Sequence, residues 1–214
     1  MACQRFVSHV TGFATLFGVD AARGKLDQAV GILSVPLFFL LGVMIAAYLI
    51  DRPNLKGKRP HYTLVMLLTS LCLLIAALGG YLNFFGAFGS EVRLKQDYFL
   101  LIILCSASGL INGSITTSSG SSVRVTHLTG ITSDLGIGLV RAWSQGKNSK
   151  PHKDELRVAK IRIGTIATFA LGSTIGALMF LRYEYLGFLF PFAIACYLVA
   201  VTFKQQRLMF GNKN

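Results

Sequence analysis

The sequence predicts an all-α polytopic membrane protein built as an inverted three-plus-three helix repeat, and three observations predict it. The first is composition: 53% of the 214 residues are hydrophobic, 14% are charged and the mean hydropathy is +0.58, more apolar than a soluble globular domain. The second is a set of apolar runs long enough to cross a hydrocarbon core of about 30 Å. The third is a phrase written twice, VSHVTG at Val7–Gly12 and VTHLTG at Val125–Gly130.

Five apolar runs are read as spans: Gln28–Ile50, Tyr62–Phe88, Tyr98–Ile115, Val158–Leu181 and Tyr185–Phe203. The 22 Gly and 16 Phe fit this class, because Gly is commoner in membrane helices than in soluble ones. Before the first run lies the VSHVTG segment, with no apolar core of a signal peptide between Met1 and Gly12. Between the third and fourth runs, ITSDLGIGLVRAW at Ile131–Trp143 reads as a short interfacial or re-entrant helix. Thr132 or Ser133 would cap it, Asp134 would favour its first turn, and Trp143 with Arg141 would lie at headgroup level.

The formal net charge of +12 is explained by orientation rather than by nucleic acid, since the cations sit in short loops and cytoplasmic loops hold excess Lys and Arg. With alternating spans, one side receives Arg52, Lys56, Lys58, Arg59, Arg124, Arg141, Lys147, Lys150, Lys153, Arg157, Lys204, Arg207 and Lys213, with Lys160 and Arg162 close by. The other side holds Arg5, Arg23, Lys25, Arg93, Lys95 and Arg182. The C-terminus is therefore expected in the cytoplasm and the N-terminus outside.

The two phrases extend into a gapless correspondence, VSHVTGFATLFGVDAAR at Val7–Arg23 over VTHLTGITSDLGIGLVR at Val125–Arg141. A second follows, FFLLGVMIAAYLIDR at Phe38–Arg52 over TFALGSTIGALMFLR at Thr168–Arg182. The offset grows between them by the length of the polar, basic stretch Ser144–Glu155. One integral membrane domain thus divides into a first repeat, residues 1–97, and a second, residues 98–214. The second repeat has a helix ahead of its phrase, Tyr98–Ile115, and the first does not. A complete unit has an odd number of spans, so the copies take opposite orientations, as in many secondary transporters.

The stretch GLINGSITTSSGSSVRVTHLTGITSDLG, Gly109–Gly136, resembles the YoaK-like family of six-span membrane proteins, a domain of unknown function. Gly109, Asn112, Gly113, His127, Thr129, Gly130 and Asp134 match its second-half pattern, and His9, Thr11 and Gly12 match its first half. The resemblance covers essentially the whole chain and implies a six-helix bacterial inner-membrane protein. It departs in one place, the first helix with its own Gly-x-x-Asn motif. A start codon chosen inside the coding region is the expected cause, and nucleotides upstream are expected to encode an in-frame apolar run ending in that motif.

Candidate chemistry centres on SASGLINGSITTSSGSS, Ser106–Ser122. The helix is expected to break or end near Asn112, because irregular backbone at membrane depth is tolerated where it is buried or lines a wet cavity. Close helix packing through small residues competes with a binding role for Asn112, Gly109, Ser114 and Thr116. Hydroxyls and amides suit a polar uncharged or anionic small molecule. His9 and His127 are expected near opposite faces, each holding the turn into its Thr-Gly phrase, so that His9, Thr11, Gly12, His127, Thr129 and Gly130 line the repeat interface. Asn83 is the other strongly polar side chain set deep in an apolar run.

No span centre carries Asp or Glu, and the chain has no Walker loop, GxSxG, HExxH or CxxC. Cys3, Cys72, Cys105 and Cys196 are single and scattered, as core residues are. The expectation is a small-molecule transporter or permease, not an enzyme, with no metal or cofactor and with the lipid bilayer as its surroundings. The competing expectation is a non-transporting structural or assembly protein. Homo-oligomerisation is compatible with either.

Overall fold

The computed structural model describes residues 2, 7–89, 95–119, 128–146 and 149–210. Helices run in the order α1 (Val10–Ala22), α2 (Leu26–Leu55), α3 (Tyr62–Tyr81), α4 (Lys95–Ser118), α5 (Leu128–Trp143), α6 (Lys150–Tyr183) and α7 (Leu189–Phe210), with a 3₁₀ turn at Glu184–Phe188 joining the last two. Among the described residues, four helical stretches are long and apolar enough to cross a membrane: Val35–Leu55, Tyr62–Tyr81, Gln96–Ser118 and Lys150–Leu208. The last, 59 residues long, holds both of the final two runs expected from the sequence.

The centre of the fold is the parallel pair α2 and α4, held by glycines. A Cβ on Gly42 would fall against the Ser106 carbonyl and 3.1 Å from Gly109 Cα, and one on Gly113 would lie 2.9 Å from Ala46 Cβ. Approach this close requires small residues on both helices, which is how membrane helices gain dispersion contact without a hydrophobic driving force between them. Helix α3 runs antiparallel to α4: Ala76 and Ala77 pack with Leu100 and Leu104 at one end, and Val65 and Met66 with Leu110 at the other. Helix α7 runs antiparallel to α3, tied by Thr63 Oγ1 donating to Gln206 Oε1 at 2.9 Å and Gln206 Nε2 donating to the Pro60 carbonyl at 2.6 Å.

Each phrase-bearing segment folds as a hairpin on the long helix that follows it. The α1 hairpin turns at Gly24, whose φ of +75° favours glycine, and α1 buries Phe13 with Ile32, Val35, Leu101 and Cys105. Helix α5 lies antiparallel on α6, where Arg162 Nη1 donates to the Asp134 carbonyl at 2.7 Å. The Arg162–Asp134 and Arg141–Glu155 ion pairs, 3.8 and 3.9 Å, add to the same edge. Ser149 caps α6, accepting from the His152 amide at 3.3 Å.

Four sequence expectations are corrected. Helix α4 continues unbroken past Asn112 to Ser118, because its hydroxyls bond within the helix, Ser114 Oγ to the Ile111 carbonyl and Ser118 Oγ to the Ser114 carbonyl. The run expected over Tyr62–Phe88 stops at Tyr81, where Asn83 takes φ +57° and its amide and that of Phe84 return to the Gly80 and Gly79 carbonyls. Helix α5 starts at Leu128 rather than near Ile131. Thr132 and Ser133 therefore lie within the helix rather than capping it, and Ser133 Oγ bonds the Thr129 carbonyl.

Candidate functional site

A cavity of about 710 Å³ opens beside the α2–α4 pair. Helix α4 contributes Asn112, Gly113, Thr116 and Thr117, α2 contributes Pro36, Leu37, Phe39, Leu40 and Val43, and both phrases reach it, one through Ser8, His9 and Thr11 and the other through Thr129. The contact of Gly113 with Ala46 places this stretch of α4 beside the middle of the α2 apolar segment. Its described lining includes no Asp, Glu, Lys or Arg.

Two features give the cavity chemical character. Thr116 Oγ1 is buried without a hydrogen-bond partner among the described residues, a situation costing about 1–3 kcal/mol when nothing satisfies the group. Thr11, in the first turn of α1, and Thr129, in the first described turn of α5, also line it. A helix N-terminus presents unpaired amides and the positive end of the macrodipole, and no side chain caps α1.

The sequence-derived residues divide cleanly. Asn112, Thr116, His9, Thr11 and Thr129 are gathered at the cavity. Gly109 serves the helix crossing, where a Cβ would meet Phe39 backbone. Ser114 is 2% exposed and bonds its own helix. Gly12 packs against the His9 ring, 3.0 Å from a Cβ position, while Gly130 faces open space. Asn83 is an exposed turn residue outside the cavity, and His127 lies outside the described residues. The expectation that His9 and His127 stand near opposite faces falls on a residue outside the described ones, while Thr11 and Thr129 line one cavity.

Sequence reasoning missed Ser8, Thr117 and Pro36. Proline inside a span was a usable signal: Pro36 lies within α2, has no N–H to give, and so leaves the Ile32 carbonyl without its helical donor.

Long apolar helices packed through glycine, with a largely apolar cavity that carries hydroxyls and one amide beside a span, define a helical membrane protein. The chain belongs to the family described as Protein of unknown function (DUF1275), whose model matches residues 1–202. No curated relative and no solved structure matches it.

Proposed function

We propose that the protein is a permease for a small polar or anionic molecule, with no enzymatic activity of its own. In this reading it is an inverted three-plus-three repeat in a bacterial plasma membrane. The observation that carries the reading is the meeting of Asn112, Thr116, Thr11 and Thr129 at one cavity between the two repeats. Alternating-access carriers place their sites at such a junction, with half-helix N-termini aimed at anionic groups.

The repeat is supported by matching local structure. Val10 in α1 and Leu128 in α5, aligned positions of the two phrases, are both helical. Thr15 Oγ1 bonds the Thr11 carbonyl as Ser133 Oγ bonds the Thr129 carbonyl. Helix α1 packs on α2 as α5 packs on α6. A cytoplasmic C-terminus is supported by the Gln206–Pro60 bond, which sets the α7 end beside the Arg52–Arg59 cations.

A structural or assembly role is favoured instead by the tight crossing at Gly42, Gly109 and Gly113. Flux separates the two. Uptake and efflux of a metabolite panel are compared between a deletion strain and strains restored with the native protein, Asn112→Ala or Thr116→Val. Permease function requires one flux lost on deletion, restored by the native protein and impaired by the substitutions. Unchanged flux throughout would sink it.

A further inference from the structure

The first part of α6 sorts its charges by face. At 3.6 residues per turn, Lys150, Lys153, Arg157 and Lys160 fall within about 80° of one another around the helix. All four are exposed, and none makes an ion pair with a described carboxylate. The opposite side holds the groups that meet α5: Arg162 with Asp134, Glu155 with Arg141, and His152 Nδ1 at 2.7 Å from the Ala142 carbonyl. The α6 cation turned toward α5 is thus paired, while the four turned away have no counter-charge from the described chain. Asp154, also exposed, stands about 40° beyond the edge of the stripe.

The stripe ends where the helix turns apolar. Ile163–Leu181 is 19 residues without a charge, about 28 Å of helix, which matches a hydrocarbon core of about 30 Å. Lys160 and Arg157 then stand about 5 and 9 Å beyond that core, at headgroup depth and at its upper edge. Lys153 and Lys150 lie one and two turns farther out, within reach of the surface through long side chains and a screening length of about 8–10 Å. The same sector continues into the apolar stretch as Leu171, Ile175 and Leu178, which are 65%, 44% and 58% exposed.

We propose that this outward face of α6 is a binding surface for an anionic phospholipid. The phosphate lies against Lys160 and Arg157, and an acyl chain runs along Leu171, Ile175 and Leu178. Arg157 suits a phosphate through two parallel N–H···O bonds, and Lys160 acts as a point charge. A zwitterionic lipid offers the same chain but carries its own ammonium, so a row of unpaired cations selects the lipid with net negative charge. The face is separate from the cavity at Asn112, which α6 does not line, and the inference is independent of what that cavity carries.

The test reads lipid choice at the face itself. In the 214-residue chain with Trp143, its only tryptophan, replaced by Phe, Leu171→Trp reports the adjacent lipid through quenching by chain-brominated phospholipids. Leu71→Trp on α3, at a position 51% exposed, reports ordinary lipid contact. In phosphatidylcholine bilayers, brominated phosphatidylglycerol is expected to be preferred over brominated phosphatidylcholine by at least about fivefold at Leu171→Trp, the worth of one cation near an anionic surface. No preference is expected at Leu71→Trp. Equal preference at the two positions overturns the proposal. That comparison leaves the cations unchanged, so it decides the matter whether or not a charge variant folds. Arg157→Gln with Lys160→Gln is expected to abolish the preference with helicity unchanged, and Arg157→Lys with Lys160→Arg to keep it; a preference that survives the Gln pair overturns the assignment to these residues. Displacement by inorganic phosphate, and not by chloride of equal ionic strength, overturns it in favour of a free-anion site.

Discussion

Gly42→Ala is the most discriminating single change in this fold. The added methyl would meet the Ser106 carbonyl and lie 3.1 Å from Gly109 Cα and 3.0 Å from the Leu110 amide nitrogen. All three are backbone atoms, so no side chain can rotate away and the α2–α4 pair must separate. Overpacking of this kind costs about 1–3 kcal/mol, and a rigid neighbour puts this case near the upper end. A loss of about 2 kcal/mol lowers the folded-to-unfolded ratio roughly thirty-fold. The matching change on α6, Gly172→Ala, meets no atom of the described residues within 4 Å. It is expected to be neutral or stabilising by up to about 1 kcal/mol through helix propensity. The assay is SDS-induced unfolding from detergent micelles, followed by circular dichroism and by labelling of Cys105, which is fully buried at the α4 face, with Cys3, Cys72 and Cys196 replaced by Ser. Equal effects of the two alanines, or a larger effect at Gly172, would refute the assignment of the crossing.

Thr116→Val removes a buried hydroxyl that has no partner among the described residues; stability is expected to hold or rise by about 1 kcal/mol while cavity-dependent flux falls, and a marked loss of stability would show the hydroxyl to be structural. Arg162→Ala removes the bond to the Asp134 carbonyl and is expected to weaken hydrogen-exchange protection of α5 while leaving α4 unchanged; uniform loss would contradict local docking. Ser149→Ala removes the α6 cap, costing about 1 kcal/mol, visible as faster exchange at the His152 amide. Gln206→Ala cuts the link from α7 to Pro60 and Thr63, and proteolysis of the 56–61 loop is expected to accelerate.

Much of this was legible in the sequence. Hydropathy located the long helices, because apolar length is a property of a segment by itself. The site was legible in part. Asn112, Thr116, His9, Thr11 and Thr129 were chosen for polarity within apolar surroundings and do share a cavity. Asn83 was chosen on the same ground and lies in a turn with φ +57°, since polarity alone does not separate a helix stop from a lining residue. Gly109 looked like part of a motif and is a packing surface.

The sequence by itself determined the helical class, the apolar segments and the internal correspondence. Only the tertiary structure decided that α4 stays intact past Asn112, that Thr11 and Thr129 reach one cavity, and that Gly42 is covered while no described residue covers Gly172. The physical reason lies in how helices meet. Their register is fixed by where backbones approach closest, and that depends on pairs of small residues distant in the chain, which no single segment specifies.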